Sequence, residues 1–491
     1  MIANTKKMRK LIIKTINLFE YKWLKPEHKE ILEGSGFELF LDNIWKNRPK
    51  SEGWYSKINQ KNKTEEKQQR FLRFRKNELS PRNFVGVIQY NNTEINLLPK
   101  IFYHEKYDDG ETPDNEELKK IHLHILYWLS YNKKLHFPKS FSNLASIEIN
   151  SFFEILILMF ATYTNEVLSQ VIYQNYHEEN KDNTFLKGHL DVKGYIKNNL
   201  TTGNWQRITC EYDLFDMDNL FNRIIKYVSK LLLAHTQSSE SQKLLDKIIF
   251  ILDDVEDAQM NFEDCKKVHI NPFYIELSAV LDYCKLFLSN SMVYSYKDEF
   301  EVFAFLLPME KIFEEYVVGI LKENPNNLKI KNMKIQSQKP VKHLSSNIEA
   351  FKMKPDIYLT NNNNSDYHKI IDTKYKTLKN NYIYNGVSQS DMYQMVSYGI
   401  RYEVDDIILL YPATVGDSVD TDEKYKPISE YQVTDKFVII PKDNDEKQTI
   451  NIQIHKLPII LGNNFMYNEN NYSKFKKCLD EQVSKRLEYM L

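Results

Sequence analysis

Between Lys352 and Lys376 the chain reads KMKPDIYLT, an Asn-rich turn beginning at Asn361, and YHKIIDTKYK, which is two β-rich segments joined by a short polar loop. Asp356 opens the first segment. Asp372 and Lys374 stand two apart in the second, so both side chains project from one face of a strand while Ile371 and Thr373 face the other. Ile370 and Ile371 mark that strand as buried, and a lysine buried beside carboxylates is costly unless it is paired or a metal is bound. The segment therefore demands a sheet with a charged site at its edge.

Asp356 and Asp372 are oxygen donors suited to a hard divalent cation such as Mg2+, which polarises a phosphodiester and lowers the pKa of a bound water. Lys374 is suited to steady the attacking hydroxide or the charge developing on the phosphorane. Read alone, the same residues also fit a strand-opening Pro-Asp dipeptide and a surface ion pair.

The flanking segments bear on that choice. PMEKIFEEYVVGILKEN (residues 308–324) predicts a helix with Pro308 at its first position and Ile312, Phe313, Tyr316, Val317, Ile320 and Leu321 in one apolar stripe. Glu315 points away from the stripe. Glu314 lies at its border, placed either to look along the buried face into a neighbouring site or to remain an exposed helix carboxylate. Downstream, SDMYQMVSYGIRY predicts a helix with Gln394 and Tyr398 one turn apart, positioned for a phosphate or base near the metal or, alternatively, for core packing. DDIILLYPA adds another buried strand. Helix, strand, turn, strand, helix, strand is an α/β arrangement with acidic ligands on one edge of a mixed sheet, and DNA would lie across that edge.

The remaining sequence sets the frame. With 491 residues, two or three domains are expected: a β-rich region over 1–115, a mostly helical region over 116–295, and the α/β region over 296–491. Net charge is −1, so any nucleic-acid contact must come from local basic surface. Lys46 to Arg82 holds 12 Lys/Arg against four Glu and reads as a solvated face or as a partner or nucleic-acid surface. Residues 83–102 predict a hairpin turning at Asn91-Asn92, residues 116–180 buried helices, and residues 186–196 a turn and strand. His122 and His124 lack a third ligand nearby and do not share a helix face. The four cysteines are scattered, which excludes a CxxC zinc site and fits a reducing, cytoplasmic compartment, and no apolar run approaches the ~20 residues of a membrane span.

Taken together, MEKIFEEYV, KPDIYL, IIDTKYK and DMYQMVSY followed by LLYP resemble the motif succession of the McrC family, the nuclease subunit of McrBC-type systems that restrict 5-methylcytosine-modified DNA. VGVIQYNNTEINLLPKI, LKGHLDV and CEYDLFDMDNLFNRIIKY resemble further McrC segments, extending the likeness over about residues 83–412. The resemblance implies a C-terminal PD-(D/E)xK nuclease domain in which Asp356, Asp372 and Glu314 hold Mg2+, Lys374 is catalytic, and Gln394 and Tyr398 match the QxxxY element. It also implies double-stranded DNA as substrate and an McrB-like AAA+ GTPase hexamer as partner. GTP belongs to that partner, because no GxxxxGK[ST] loop occurs in this chain. In the family a β-rich projection enters the partner ring and stimulates its hydrolysis; the 83–102 strand pair with the basic 46–82 region is the candidate here. Two other readings remain: a stand-alone RecB-like exonuclease, which shares the QxxxY element, and a non-cleaving adaptor that only activates the GTPase.

Overall fold

The structure is a computed structural model that describes residues 14–22, 37, 41–42, 71–75, 78–90, 93–109, 112–131, 151–270, 275–296, 300–323, 333–345, 350–361, 368–378, 386–415, 435–439, 449–458 and 472–491. The fold mixes helices and strands throughout. Its described residues divide into two compact units, one within residues 154–289, the other within residues 14–153 and 290–491. This differs from the serial partition expected at 115 and 295. The cause is sheet pairing between distant segments.

In the larger unit a five-stranded sheet has the order β1 (Lys14–Phe19), β5 (Thr93–Leu98), β4 (Phe84–Tyr90), β10 (Phe300–Pro308), β9 (Ser291–Tyr296). The expected 83–102 hairpin is there, with Tyr90 paired to Thr93, while its Asn91-Asn92 turn lies outside the described residues. It cannot be a free projection, however. β5 is flanked by β1 and β4 by β10, and Val85, Val87, Ile88, Ile95 and Leu97 are all buried. The hairpin of β2 (Leu72–Arg75) and β3 (Glu78–Pro81) is the described part of the basic 46–82 stretch.

Helix α1 (Asn115–Ser130) begins with a capping box, in which Asp114 accepts from the Glu117 amide and the Glu117 side chain accepts from the Asp114 amide. It buries His122 and His124, and burial lowers both imidazoles to about 4. His124 packs against Phe102 and Phe475. These are core histidines.

Helix α2 (Phe152–Leu168) leads into the smaller unit, where the helix expected to continue towards residue 180 gives way to β6 (Asn175–Asn183). β6 pairs along its length with β8 (Ile208–Asp216), and β7 (His189–Leu190) adds a short third strand. The strand expected over 186–196 is only β7, followed by helical turns over 192–200. Helix α3 (Leu220–His235) is capped by Asn219 and buries Phe221, Ile224, Ile225, Val228 and Leu232, the spacing of one apolar face. It packs on α4 (Ser239–Ile251) and α5 (Phe262–Lys267). α6 (Ile275–Asn290) completes the unit.

The larger unit also holds a mixed six-stranded sheet in the order β11 (Met333–Ser337), β14 (Ile357–Asn361), β15 (His368–Thr373), β16 (Asp406–Pro412), β18 (Ile450–Leu457), β17 (Asp435–Ile439). A two-stranded hairpin, β12 (Lys342–His343) with β13 (Lys352–Met353), lies in the chain between β11 and β14. The central pairs β15–β16 and β16–β18 are parallel, and β14 runs antiparallel to β15. Helix α7 (Met309–Glu323) begins one residue after Pro308, which ends β10 instead of opening the helix. α8 (Gln389–Tyr402) connects β15 to β16 and buries Met395, Tyr398 and Tyr402 against Ile370, Leu409 and Ile452. α9 (Tyr472–Met490) is the last element. Its Asp480 accepts from Tyr127 Oη at 2.8 Å, and Tyr127 meets Tyr316 of α7 Oη to Oη at 3.4 Å. Among the described residues no helix is long and apolar enough to cross a membrane.

Candidate functional site

The antiparallel register of β14 and β15 pairs Ile357 with Ile371, so the next positions outward at that end of the sheet are Asp356 and Asp372. The strand assignment ends at Thr373, but the Lys374 amide still donates to Leu410 O at 2.9 Å. Lys374 thereby keeps the side-chain alternation of the strand.

Asp372 is buried, at 1% exposure, and forms an ion pair with Lys374 Nζ. Burial and the neighbouring Asp356 charge push the Asp372 carboxyl well above the usual carboxylate range, against the pull of Lys374. Burial works to lower the Lys374 ammonium, yet Asp372, Asp356 and Asp391 together hold it above the usual lysine range. The site thus keeps one firmly charged cation among crowded carboxylates.

Asp356 is fixed from two sides. One carboxylate oxygen accepts from the Thr373 amide at 3.0 Å and the Thr373 hydroxyl at 2.8 Å, and the other from Gln338 Nε2 at 2.8 Å. Gln338 Nε2 also donates to Glu314 Oε1 at 2.5 Å. Glu314 is buried and forms an ion pair with Lys311 at 2.6 Å, so it does look along the buried face of α7. From α8, Gln394 Oε1 accepts from Lys374 Nζ at 3.1 Å, Gln394 Nε2 donates to Tyr398 Oη at 2.9 Å, and Tyr398 Oη donates to Lys354 O at 2.9 Å. All six residues singled out in the sequence therefore sit in one locality, in two hydrogen-bonded chains, Glu314–Gln338–Asp356 and Asp372–Lys374–Gln394–Tyr398.

Three further participants were not among the six candidates, for different reasons. Gln338 carries no sequence signal, because its role depends on β11 lying beside β14. Thr373 stands inside the DTK triplet but on the face assigned away from the site, and it reaches Asp356 through its backbone and hydroxyl. Asp391 is legible in hindsight, three residues before Gln394 on α8; it accepts from Lys376 Nζ at 2.7 and 2.8 Å and from Tyr411 Oη at 3.2 Å.

The β15 end is also tied to the first sheet of the same unit. Glu20, 1% exposed, accepts from Tyr375 Oη at 2.8 Å and the Lys100 amide at 3.0 Å, while Lys100 Nζ donates to Tyr375 O at 2.9 Å. Burial raises the Glu20 carboxyl to about 7 despite Lys100.

Could the donor set hold Mg2+? Among the described residues no group of three or more His, Cys, Asp or Glu is placed to enclose a metal ion. The Gln338 amide bridges Glu314 and Asp356, which separates Glu314 from a direct three-carboxylate cage. Magnesium, however, usually keeps several waters and uses one or two carboxylates. The adjacent Asp356 and Asp372 carry oxygen donors of the kind that smaller requirement asks for.

The family model described as McrBC 5-methylcytosine restriction system component matches residues 79–412, more than half of the chain. No curated protein matches in sequence. Among solved structures, a chain in the refined half-complex from a tetradecameric assembly of Thermococcus gammatolerans McrB AAA+ hexamers with bound McrC is similar, with a TM-score of 0.62 at 17% identity, covering 96% of this chain and 100% of that one. At that identity the likeness speaks for the fold. The cryo-EM structure of the Thermococcus gammatolerans McrBC complex holds a chain with a TM-score of 0.47 at 18% identity, covering 64% of this chain and 88% of that one. By the family model, which spans more than half of its residues, this chain belongs to the family of McrBC 5-methylcytosine restriction system components.

Proposed function

We propose that the chain is the endonuclease subunit of a modification-dependent restriction complex, cutting duplex DNA with Mg2+ when assembled with an McrB-like AAA+ GTPase. The observation that carries this reading is the buried Asp372–Lys374 pair beside Asp356, with Lys374 held by the Gln394–Tyr398 pair. A pair built only for stability would gain little from burial, since hydrophobic replacements of buried ion pairs are often as stable.

Asp356 and Asp372 would hold the ion, with Glu314 behind them through Gln338. Bound there, Mg2+ supplies Lewis acidity to the scissile phosphate. Thr373 and Gln338 hold Asp356 from both oxygens, which keeps its position fixed before substrate arrives. Lys374 stays protonated and donates a hydrogen bond towards the non-bridging oxygen on which negative charge grows. Gln394 removes one rotational choice from that ammonium, and Tyr398 fixes Gln394 in turn.

With the 83–102 strands inside a sheet and residues 46–70 outside the described residues, the partner-contacting element in this reading is the segment carried by the β6–β8 ladder of the smaller unit. The segment between those strands exposes Phe185 (65%), Leu186 (60%), Val192 (54%) and Trp205 (64%), an apolar tip that water does not favour and a protein channel would cover. Energy for DNA movement comes from the partner's GTP.

Purified chain, with and without an McrB-like partner and GTP, tests the assembly. Cutting is expected only with partner, GTP and Mg2+ together. Vigorous Mg2+-dependent degradation by the chain alone would support a RecB-like exonuclease instead.

A further inference from the structure

Gln338 and Asp356 are hydrogen-bonded, yet the chain between them departs from the sheet into the β12–β13 hairpin. The hairpin is short, with Lys342 paired to Met353, His343 to Lys352, and the Leu344 amide donating to Phe351 O at 3.1 Å. It is also firmly tied down. Tyr402 Oη accepts from the Lys342 amide at 3.1 Å and lies 2.8 Å from Pro340 O and 2.9 Å from Met353 O. Arg401 Nε donates to His343 O at 2.6 Å, and Tyr398, already linked to Lys374 through Gln394, donates to Lys354 O. Helix α8 thus holds the catalytic lysine's partner and the hairpin with adjacent turns.

What the hairpin presents outward is unusual. Phe351 is 75% exposed and adopts φ 57°, a left-handed conformation rare for an aromatic residue, with Leu344 (51%) and Val341 (40%) exposed nearby in the sequence. In the sequence from Lys334 to Asp356 there are five lysines, Lys334, Lys339, Lys342, Lys352 and Lys354, against two acids, Glu349 and Asp356 itself. Exposed apolar residues interleaved in the sequence with an excess of cations, Lys339 and Lys352 among the exposed ones, suit a polyanion with apolar faces between its charges, which describes duplex DNA.

We infer that the β12–β13 hairpin is a DNA contact that seats the duplex at the cleavage site, with Lys339 and Lys352 on backbone phosphates and Phe351 inserted as an apolar wedge against the bases. This rests on the nuclease reading above and adds the surface that holds the substrate. Because the hairpin is anchored to α8, DNA seated on it stands in a set relation to Lys374.

The test uses full-length chain carrying Asp372→Asn, so that DNA is not consumed, and a short fluorescein-labelled duplex followed by anisotropy across a salt series. Lys339→Gln with Lys352→Gln is expected to reduce the slope of log affinity against log salt by about 2. Phe351→Ala is expected to weaken binding roughly tenfold with the slope unchanged, and Phe351→Trp to restore it. Lys243→Gln with Lys247→Gln on α4 removes the same charge and should leave the slope alone; an equal drop there would overturn the assignment. Unchanged slope and affinity in the hairpin variants would also overturn it. If instead the Asp372→Asn complex still cuts DNA, the nuclease reading itself fails, and the two failures are distinguishable.

Discussion

Lys374 Nζ donates to Gln394 Oε1 at 3.1 Å, joining the end of β15 to a helix whose other turns contact the hairpin before Asp356. Two residues 20 apart in sequence thereby set the direction of one ammonium. Gln394→Ala removes that acceptor and leaves Lys374 only its carboxylate partner. Single-turnover cleavage by the assembled complex is expected to slow roughly 10–100-fold, the usual cost of losing a group that orients a site residue. Tyr398→Phe should slow it less, because Gln394 keeps its bond to Lys374. Wild-type rates in both would remove the pair from the mechanism.

Helix α7 owes its position, and that of Glu314, to a close approach at Gly319. A Cβ there would lie 2.3 Å from Tyr131 O and 2.7 Å from Tyr131 Cβ, and backbone cannot move aside as a flexible side chain can. Gly319→Ala is expected to destabilise the protein by about 1–3 kcal/mol through overpacking. Thermal melting measures it, and an unchanged melting temperature would contradict the packing.

Glu20 sets a pH dependence. Burial raises its folded pKa to about 7 from an ordinary 4.5, so the folded state binds its proton more tightly than the unfolded state does. This group's contribution to stability is therefore greatest below about pH 4.5, falls as pH rises towards 7, and levels off above. Glu20→Gln keeps an acceptor for Tyr375 and Lys100 without the buried charge. Denaturant melts should show the variant gaining on wild type between pH 5 and 8, by the order of 1–3 kcal/mol. A constant difference across that range would mean that Glu20 does not titrate there.

The apolar tip between β6 and β8 is exposed, so Trp205→Ala with Phe185→Ala should leave melting of the chain unchanged. If the tip contacts the partner, the same variant lowers the stimulation of the partner's GTP hydrolysis several-fold. Full stimulation would mean that the ring contact lies on another surface.

The candidate site was legible where its logic is local. Asp372 and Lys374 share a face because strands alternate, and Gln394 and Tyr398 share one because helices turn every 3.6 residues. Glu314 was legible as a border position on an amphipathic helix, and its burial follows from that stripe. Gln338 was not legible, since only the pairing of β11 with β14 brings it to Asp356. The 83–102 strands show the same limit from the other side. Their pattern announced a hairpin but not its neighbours, and β1 and β10, the latter about 200 residues away, turn it from an apparent projection into the middle of a sheet. That pairing also explains why the larger unit is built from two separated stretches, with residues 154–289 standing between them.

The most direct test of the account is DNA cleavage by the reconstituted complex carrying Asp372→Ala, with GTP hydrolysis followed in the same reaction. Cutting is expected to be lost, by at least about 1,000-fold, while GTP hydrolysis continues. Cutting at the wild-type rate would contradict the assignment of the site.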